Sequence, residues 1–482
     1  MQYGTAMIVS FITLKLNLLT FGTDLFGVWI LLFSIWGFGS ILDFGLSTSM
    51  VRFLAEDFHK TGRLNNSLVS TSLFFLSALG FLIVVVAIIT GSFVYVADET
   101  LVPESMSNEG MMILLFLGVS FYFKYISIAF QATLEGMNNF VTPSKISIIY
   151  HFMMLIASII VYLQSSSLLM LSILYAFSGV LYASIYLWRM FTSFPDFTLK
   201  VSNVRIALIK SMFNYSMSVQ FTSMVGAMFD PLIKYVIGSY QGAGVVSYYE
   251  IARRFSTAAS QLFYFSFRIL LPKASILETD REYKVFLEQN AAQNSRFGVV
   301  YSNAVFGIGA AVVALIIQYY FGFPEAFILF LILAIPESVN NFGFSLFIFL
   351  LGIKRALFLG VLQLIGLIIM LSMLVAGFTF FNSILGLLGF ATAIVVTNLV
   401  MLLYVRNLSA ISVRGYLTKS GAMKLLVLIT ALITSVFLVL WGDVTPVQVS
   451  MLLAGFVLIF NSREFIHYTK RIAFALFPGK QV

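Results

Sequence analysis

Uncharged apolar runs of about 20 residues recur along the whole chain, and between them lie only short polar stretches. Wound as a helix at about 1.5 Å per residue, such a run reaches across the roughly 30 Å of hydrocarbon in a bilayer. Composition agrees. Hydrophobic residues make up 60% of the 482 and charged residues 10%, against about 25% charged in a soluble domain. So few charges cannot coat a water-facing globule, and a disordered chain needs the opposite balance. The long runs also exclude an outer-membrane barrel, whose strands alternate. Met1 leads straight into a membrane segment with no small-residue cleavage site, so no cleavable signal peptide is expected.

Breaking the runs at charged, Pro, Gly or Asn clusters predicts fourteen spans: 3–20, 27–48, 70–97, 111–134, 144–164, 167–190, 212–236, 243–271, 296–320, 325–352, 356–379, 383–405, 421–441 and 446–467. With the N-terminus inside, 23 of the 28 Lys and Arg fall in inner loops and none in outer loops, while Asp98, Glu99, Glu104 and Glu109 lie outside. Basic residues resist translocation, so this asymmetry orients the chain with both termini cytoplasmic. The net charge of +8 is then a topology signal. It implies contact with anionic membrane lipids and no nucleic acid.

The chemistry-bearing residues are the charges left inside the spans. A charge facing hydrocarbon costs at least ~2.5–3.5 kcal/mol, so each needs a partner or a wet cavity. Arg253 and Arg254 lie near mid-bilayer on the eighth span. Adjacent helical residues point about 100° apart. Glu250 stands three and four residues before them, so a local ion pair is available. The other reading makes both arginines anion binders in a central cavity, since a planar guanidinium suits phosphate. Lys124, among Phe121, Tyr122, Phe123 and Tyr125, and Lys15 on the first span would feed the same cavity. Lys15 is equally able to snorkel to the outer interface.

Asp230 and Lys234 are spaced for a local pair, and Pro231 between them predicts a kink beside an acid, a hinge or an ion site. Glu337, after Pro336 on the tenth span, is either a proton or Na⁺ site or the partner of a cation. Asp43 pairs with Arg52 or caps backbone. Glu250, Lys234 and Asp43 are therefore read as structural ion pairs, Glu337 and Asp230 as coupling carboxylates, and Arg253, Arg254, Lys124 and Lys15 as anion binders.

Other chemistries lack their residues. There is no Cys, and His59, His151 and His467 are far apart, so no metal or cofactor is expected. No Gly-rich loop ending in Gly-Lys-Ser/Thr is present, and the chain is expected to hydrolyse no ATP. A membrane polymerase or ligase would need a large outer loop, whereas the largest here is 97–109, so the chain is expected not to be an enzyme.

Two stretches resemble each other. Phe26-Gly27-Val28-Trp29 leads to Asp43-Phe44-Gly45-Leu46-Ser47 and Arg52; Asp230-Pro231 leads through Ile237-Gly238 and Arg253-Arg254 to Leu271-Pro272-Lys273. Each is span, short outer turn, span and basic inner loop. This predicts a parallel repeat: a six-helix bundle at 1–190, a cytoplasmic linker at 191–211, a second six-helix bundle at 212–405, and a C-terminal helix pair with tail at 406–482.

The run from Phe26 to Glu56 resembles polysaccharide transporters of the O-antigen flippase (Wzx) type, and Asp230 to Lys273 resembles that family's second-half counterpart. Members usually carry a longer N-terminal lead. The wider superfamily includes lipid II flippases and multidrug and toxin extruders. The resemblance implies an all-α polytopic protein of the bacterial inner membrane with two six-helix bundles around a cavity. It implies movement of undecaprenyl-diphosphate-linked oligosaccharide (O-antigen, capsule or another exopolysaccharide) between leaflets by ion-coupled alternating access. A polysaccharide polymerase and a chain-length regulator are the protein partners it implies. The alternative is an H⁺- or Na⁺-coupled multidrug exporter, for which acids should dominate inside the membrane; here bases at least match them.

Overall fold

A computed structural model describes residues 2–41, 46–61, 64–97, 107–267, 274, 277, 279–381, 384–409, 412–442 and 444–460. Asp43, Asp98, Glu99, Glu104, the 271–273 turn and the basic tail from Arg463 onward lie outside the described residues.

The described residues are helical, without strands. In order they form α1 (Gln2–Ile41), α2 (Leu46–Thr61), α3 (Asn66–Ala97), α4 (Ser107–Gly136), α5 (Val141–Gln164), α6 (Leu168–Ser193), α7 (Ile206–Gln241) and α8 (Ala243–Phe267). Then follow α9 (Arg281–Phe321), α10 (Glu325–Gly352), α11 (Ala356–Phe381), α12 (Leu388–Ser409), the short α13 (Val413–Lys419), α14 (Ala422–Trp441) and α15 (Pro446–Phe460). This is a multi-pass membrane protein.

Ten helices among the described residues are long and apolar enough to cross a bilayer, fewer than the fourteen expected. Part of the difference is local. The first two expected spans run on as α1, broken at Gly22, where φ 71 and ψ −178 suit a residue without Cβ. α7 and α8 are not among the ten; α8 carries Glu250, Arg253 and Arg254, and charge lowers apolarity. α15 is shorter.

The chain divides into two compact units, 1–247 and 248–482. In the first, α4 lies against α6 and α3, α5 against α1 and α6, and α7 against α1, α2 and α3. Aromatic contacts lock the second half of α1: Trp29 meets Tyr175 of α6 edge-on at 5.3 Å, and Trp36 lies 5.4 Å from Phe121 of α4. The Gly27 of the repeat motif has a positional reason. A Cβ there would collide with the Ala243 carbonyl at the start of α8.

In the second unit α10 is the central helix, packed by α9, α11, α12 and α14. Its membrane-length window is 83% buried, against 28–56% for the unit's other spanning helices. This helix therefore faces protein on nearly all sides, and a charge on it must find a protein partner. α9 changes to π-helical winding at Leu287–Ala291, Asn303–Ile308 and Ile316–Phe321. Such wide turns shift the register of the helix face. Ser295 of α9 shares hydroxyl bonds of 2.7 Å with Ser345 of α10 and with Tyr416, which pins α13 onto the unit. Burial pushes the Tyr416 phenol above its ordinary range.

Candidate functional site

Four charged residues expected inside the membrane lie on two helices of the second unit. α8 carries Glu250, Arg253 and Arg254 within two turns, and α10 carries Glu337. Pro336 has no N–H to give the carbonyl four residues back, which loosens α10 where the acid sits. Glu337 is buried, at 4% exposure.

Arg253 donates from Nη1 to Glu337 Oε1 at 2.6 Å. The other carboxylate oxygen, Oε2, accepts from the Tyr264 hydroxyl at 3.3 Å. The ring of Phe390, on α12, lies 6.0 Å from the Arg253 guanidinium carbon, within cation–π reach. Arg254 turns the other way, as adjacent helical residues must, and donates from Nε to Glu250 Oε1 at 2.7 Å. The arginine side chains are 21% and 29% exposed, so neither is sealed. Two positive and two negative groups thus form a quartet of zero formal charge.

In the first unit Asp230 and Lys234 form the i,i+4 pair that their spacing allows, at 2.7 Å, one turn around Pro231 inside α7. Lys15 is half-buried on the first half of α1. Lys124 is exposed on α4, with its ammonium 5.1 Å from the Tyr150 ring centre. Tyr150 continues into Tyr182 and then Tyr186, with ring centres 4.8 and 5.0 Å apart. Asp43 lies outside the described residues. The structure therefore brings Arg253 to Glu337, Arg254 to Glu250 and Lys234 to Asp230; Lys15 and Lys124 belong to the other unit from the arginines.

Three participants escaped the reading of the sequence: Tyr264, Phe390 and Tyr150. Tyr264 was findable. It follows Arg253 by eleven residues, which is three helical turns and so the same face of α8. Phe390 and Tyr150 are two of 51 Phe and 22 Tyr, and nothing local distinguishes them. Among the described residues no group of three or more His, Asp and Glu is placed to hold a metal ion.

Residues 1–276 match the family described as polysaccharide biosynthesis protein. No curated protein sequence matches the chain. Among solved structures it is similar to an inward-facing multidrug resistance MATE-family transporter of the MOP superfamily, at 12% identity over 85% of this chain and 96% of that one, with a TM-score of 0.61. It is similar to the lipid II flippase MurJ in an inward closed conformation, at 14% identity over 95% and 99%, TM-score 0.54. A MOP-superfamily transporter from Pyrococcus furiosus, described as having a binding pocket of reversed polarity, aligns at 14% identity over 85% and 96%, TM-score 0.54. At these identities the likeness establishes the MOP transporter fold.

Proposed function

This chain belongs to the polysaccharide biosynthesis protein family, and we propose on that premise that it is a flippase moving a lipid-linked oligosaccharide between the leaflets of its membrane. The observation that carries the reading is the pair of adjacent arginines on α8, each held by a carboxylate and each partly accessible. A diphosphate and several sugars cannot cross hydrocarbon unaided, because every polar group would lose its water. Guanidinium groups inside the membrane replace that water with charge-assisted hydrogen bonds. The lipid tail meanwhile stays in the bilayer.

The quartet supplies a way to load and release an anion. With Glu337 ionised, Arg253 is held and the four charges cancel. With Glu337 protonated, or neutralised by a cation, the quartet carries +1 and the Arg253 fork turns to phosphate. Proton or Na⁺ uptake and substrate binding then favour each other, which is the linkage that an ion-coupled alternating-access cycle needs. Asp230, held by Lys234, is proposed for the same exchange, and Lys15 and Lys124 as anion contacts in their own unit. The site proposed here is of the bacterial inner membrane, with both termini cytoplasmic.

The test is made in a host lacking this chain. Surface polysaccharide should disappear, and complete lipid-linked repeat units should accumulate on the cytoplasmic side. Normal polymer together with heightened sensitivity to cationic drugs would overturn the reading in favour of a multidrug exporter.

A further inference from the structure

Glu337 has two carboxylate oxygens and two partners. Oε1 accepts from the Arg253 guanidinium at 2.6 Å, and Oε2 accepts from the Tyr264 hydroxyl at 3.3 Å. Among the described residues no other group is bonded to this carboxylate, and the helices packed on α10 (α9, α11, α12 and α14) supply it no ion pair. The other charges of α8, Glu250 and Arg254, bond to each other at 2.7 Å. Buried as Glu337 is, water is no ready substitute for a lost partner.

The phenol that reaches Oε2 is held by packing. Tyr264 stacks on Phe344 at 4.6 Å and 29°, and its neighbour Phe263 meets the same ring edge-on at 6.1 Å. Phe344 follows Glu337 by seven residues on α10, two turns along one face. The stack therefore ties the Tyr264 ring to the helix that carries the acid. A side chain fixed in this way presents its hydroxyl in one direction, which is what a supporting group for a functional carboxylate needs.

Exchange of Arg253 between Glu337 and a phosphate gives this hydroxyl a task. Once the guanidinium turns away, Tyr264 is the partner that Glu337 keeps. A phenol suits both forms of the acid, because its hydroxyl is donor and acceptor at once. It donates to the carboxylate while Glu337 is ionised, and it accepts from the carboxylic O–H once Glu337 has taken up a proton. A phenylalanine in its place would leave a buried carboxyl with nothing bonded to it in the anion-loaded state. Buried polar groups left unpaired are destabilising.

We propose that Tyr264 is a positioning residue of the anion site: it stays with Glu337 while Arg253 leaves for a diphosphate, and so sets how readily the guanidinium is released. It acts through Glu337 and does not touch the substrate. The assignment rests on the reading of Arg253 and Glu337 as the exchanging pair of a lipid-linked oligosaccharide flippase. It places the control of anion affinity on a neutral side chain eleven residues from the arginine that binds.

The experiment measures binding of a prenyl diphosphate to the purified full chain as wild type, Tyr264→Phe, Glu337→Gln and the double variant. In the presence of Glu337, Tyr264→Phe should weaken binding about tenfold, the scale of one unmade hydrogen bond to a buried carboxyl group. In the Glu337→Gln background no charge holds Arg253, and position 337 neither gains nor loses a proton on binding. There Tyr264→Phe should leave the affinity unchanged, which also shows that the substitution preserves the fold. A purely structural role for the phenol would weaken binding equally in both backgrounds, and that result would overturn the proposal. So would unchanged affinity of Tyr264→Phe beside Glu337. Either outcome leaves the diphosphate reading standing, since the wild type binds. Failure of the wild type to bind would bring down the flippase reading and the role of Tyr264 with it.

Discussion

Glu337 of α10 and Arg253 of α8, 84 residues apart in sequence, meet at 2.6 Å across the interior of the second unit. Each is the other's reason for being tolerated. Breaking a buried ion pair from one side leaves an uncompensated charge, which costs about 3–5 kcal/mol. Glu337→Leu and Arg253→Met alone should therefore lower the melting temperature of the detergent-purified chain sharply, while the double variant recovers most of the loss. Transport should stay lost in all three. A double variant no more stable than the single ones would show that the pair is not coupled.

Glu337→Gln separates coupling from packing. The amide keeps shape and a hydrogen-bond acceptor for Tyr264 but cannot exchange a proton. Anion binding should rise or hold, since Arg253 no longer faces a negative charge, while transport should stop responding to the pH or Na⁺ gradient. Reconstituted vesicles with imposed gradients would read this. A variant that still follows the gradient would move the coupling role to Asp230.

The Asp230–Lys234 pair predicts a milder pattern. Asp230 is 31% exposed at its side chain, and the pair lies within one helix, but Lys234 is only 11% exposed. Asp230→Asn leaves that ammonium short of its carboxylate, so it should lower the melting temperature, by less than Glu337→Leu does, because the aspartate side is open to solvent. A defect abolished by adding Lys234→Met would assign the pair a purely structural role.

Lys124 is exposed on α4 and touches the face of Tyr150. Exposed cation–π contacts contribute about 0.5–1 kcal/mol. Lys124→Gln should lower the affinity for diphosphate lipid with little change in stability. Equal affinity in the variant would remove Lys124 from the anion contacts.

Tyr416→Phe removes the hydroxyl that joins α13 to Ser295. Ser295 keeps its bond to Ser345, so the loss should cost about 0.5–1.5 kcal/mol, read as a lower melting temperature with unchanged substrate affinity.

Hydropathy, charge asymmetry and i,i+4 spacing are local properties, and what depends on them was legible in the residues alone. The all-helical membrane fold and the pairs Asp230–Lys234 and Glu250–Arg254 follow from them, whereas the turns expected at Gly27 and Gly238 fall inside α1 and α7, whose breaks lie at Gly22 and Gly242. A lipid solvent enforces this legibility, because every backbone polar group must be bonded within its own helix. Which of two readings Arg253 and Glu337 take is not local. Each was compatible with a cavity or with a partner, and only the packing of α8 against α10 joined them. The same holds for Tyr264, whose hydroxyl donates to the same carboxylate. These meetings exist only once α8 and α10 are packed, since burial and partner choice are properties of the assembled interior and are written in no single stretch of chain.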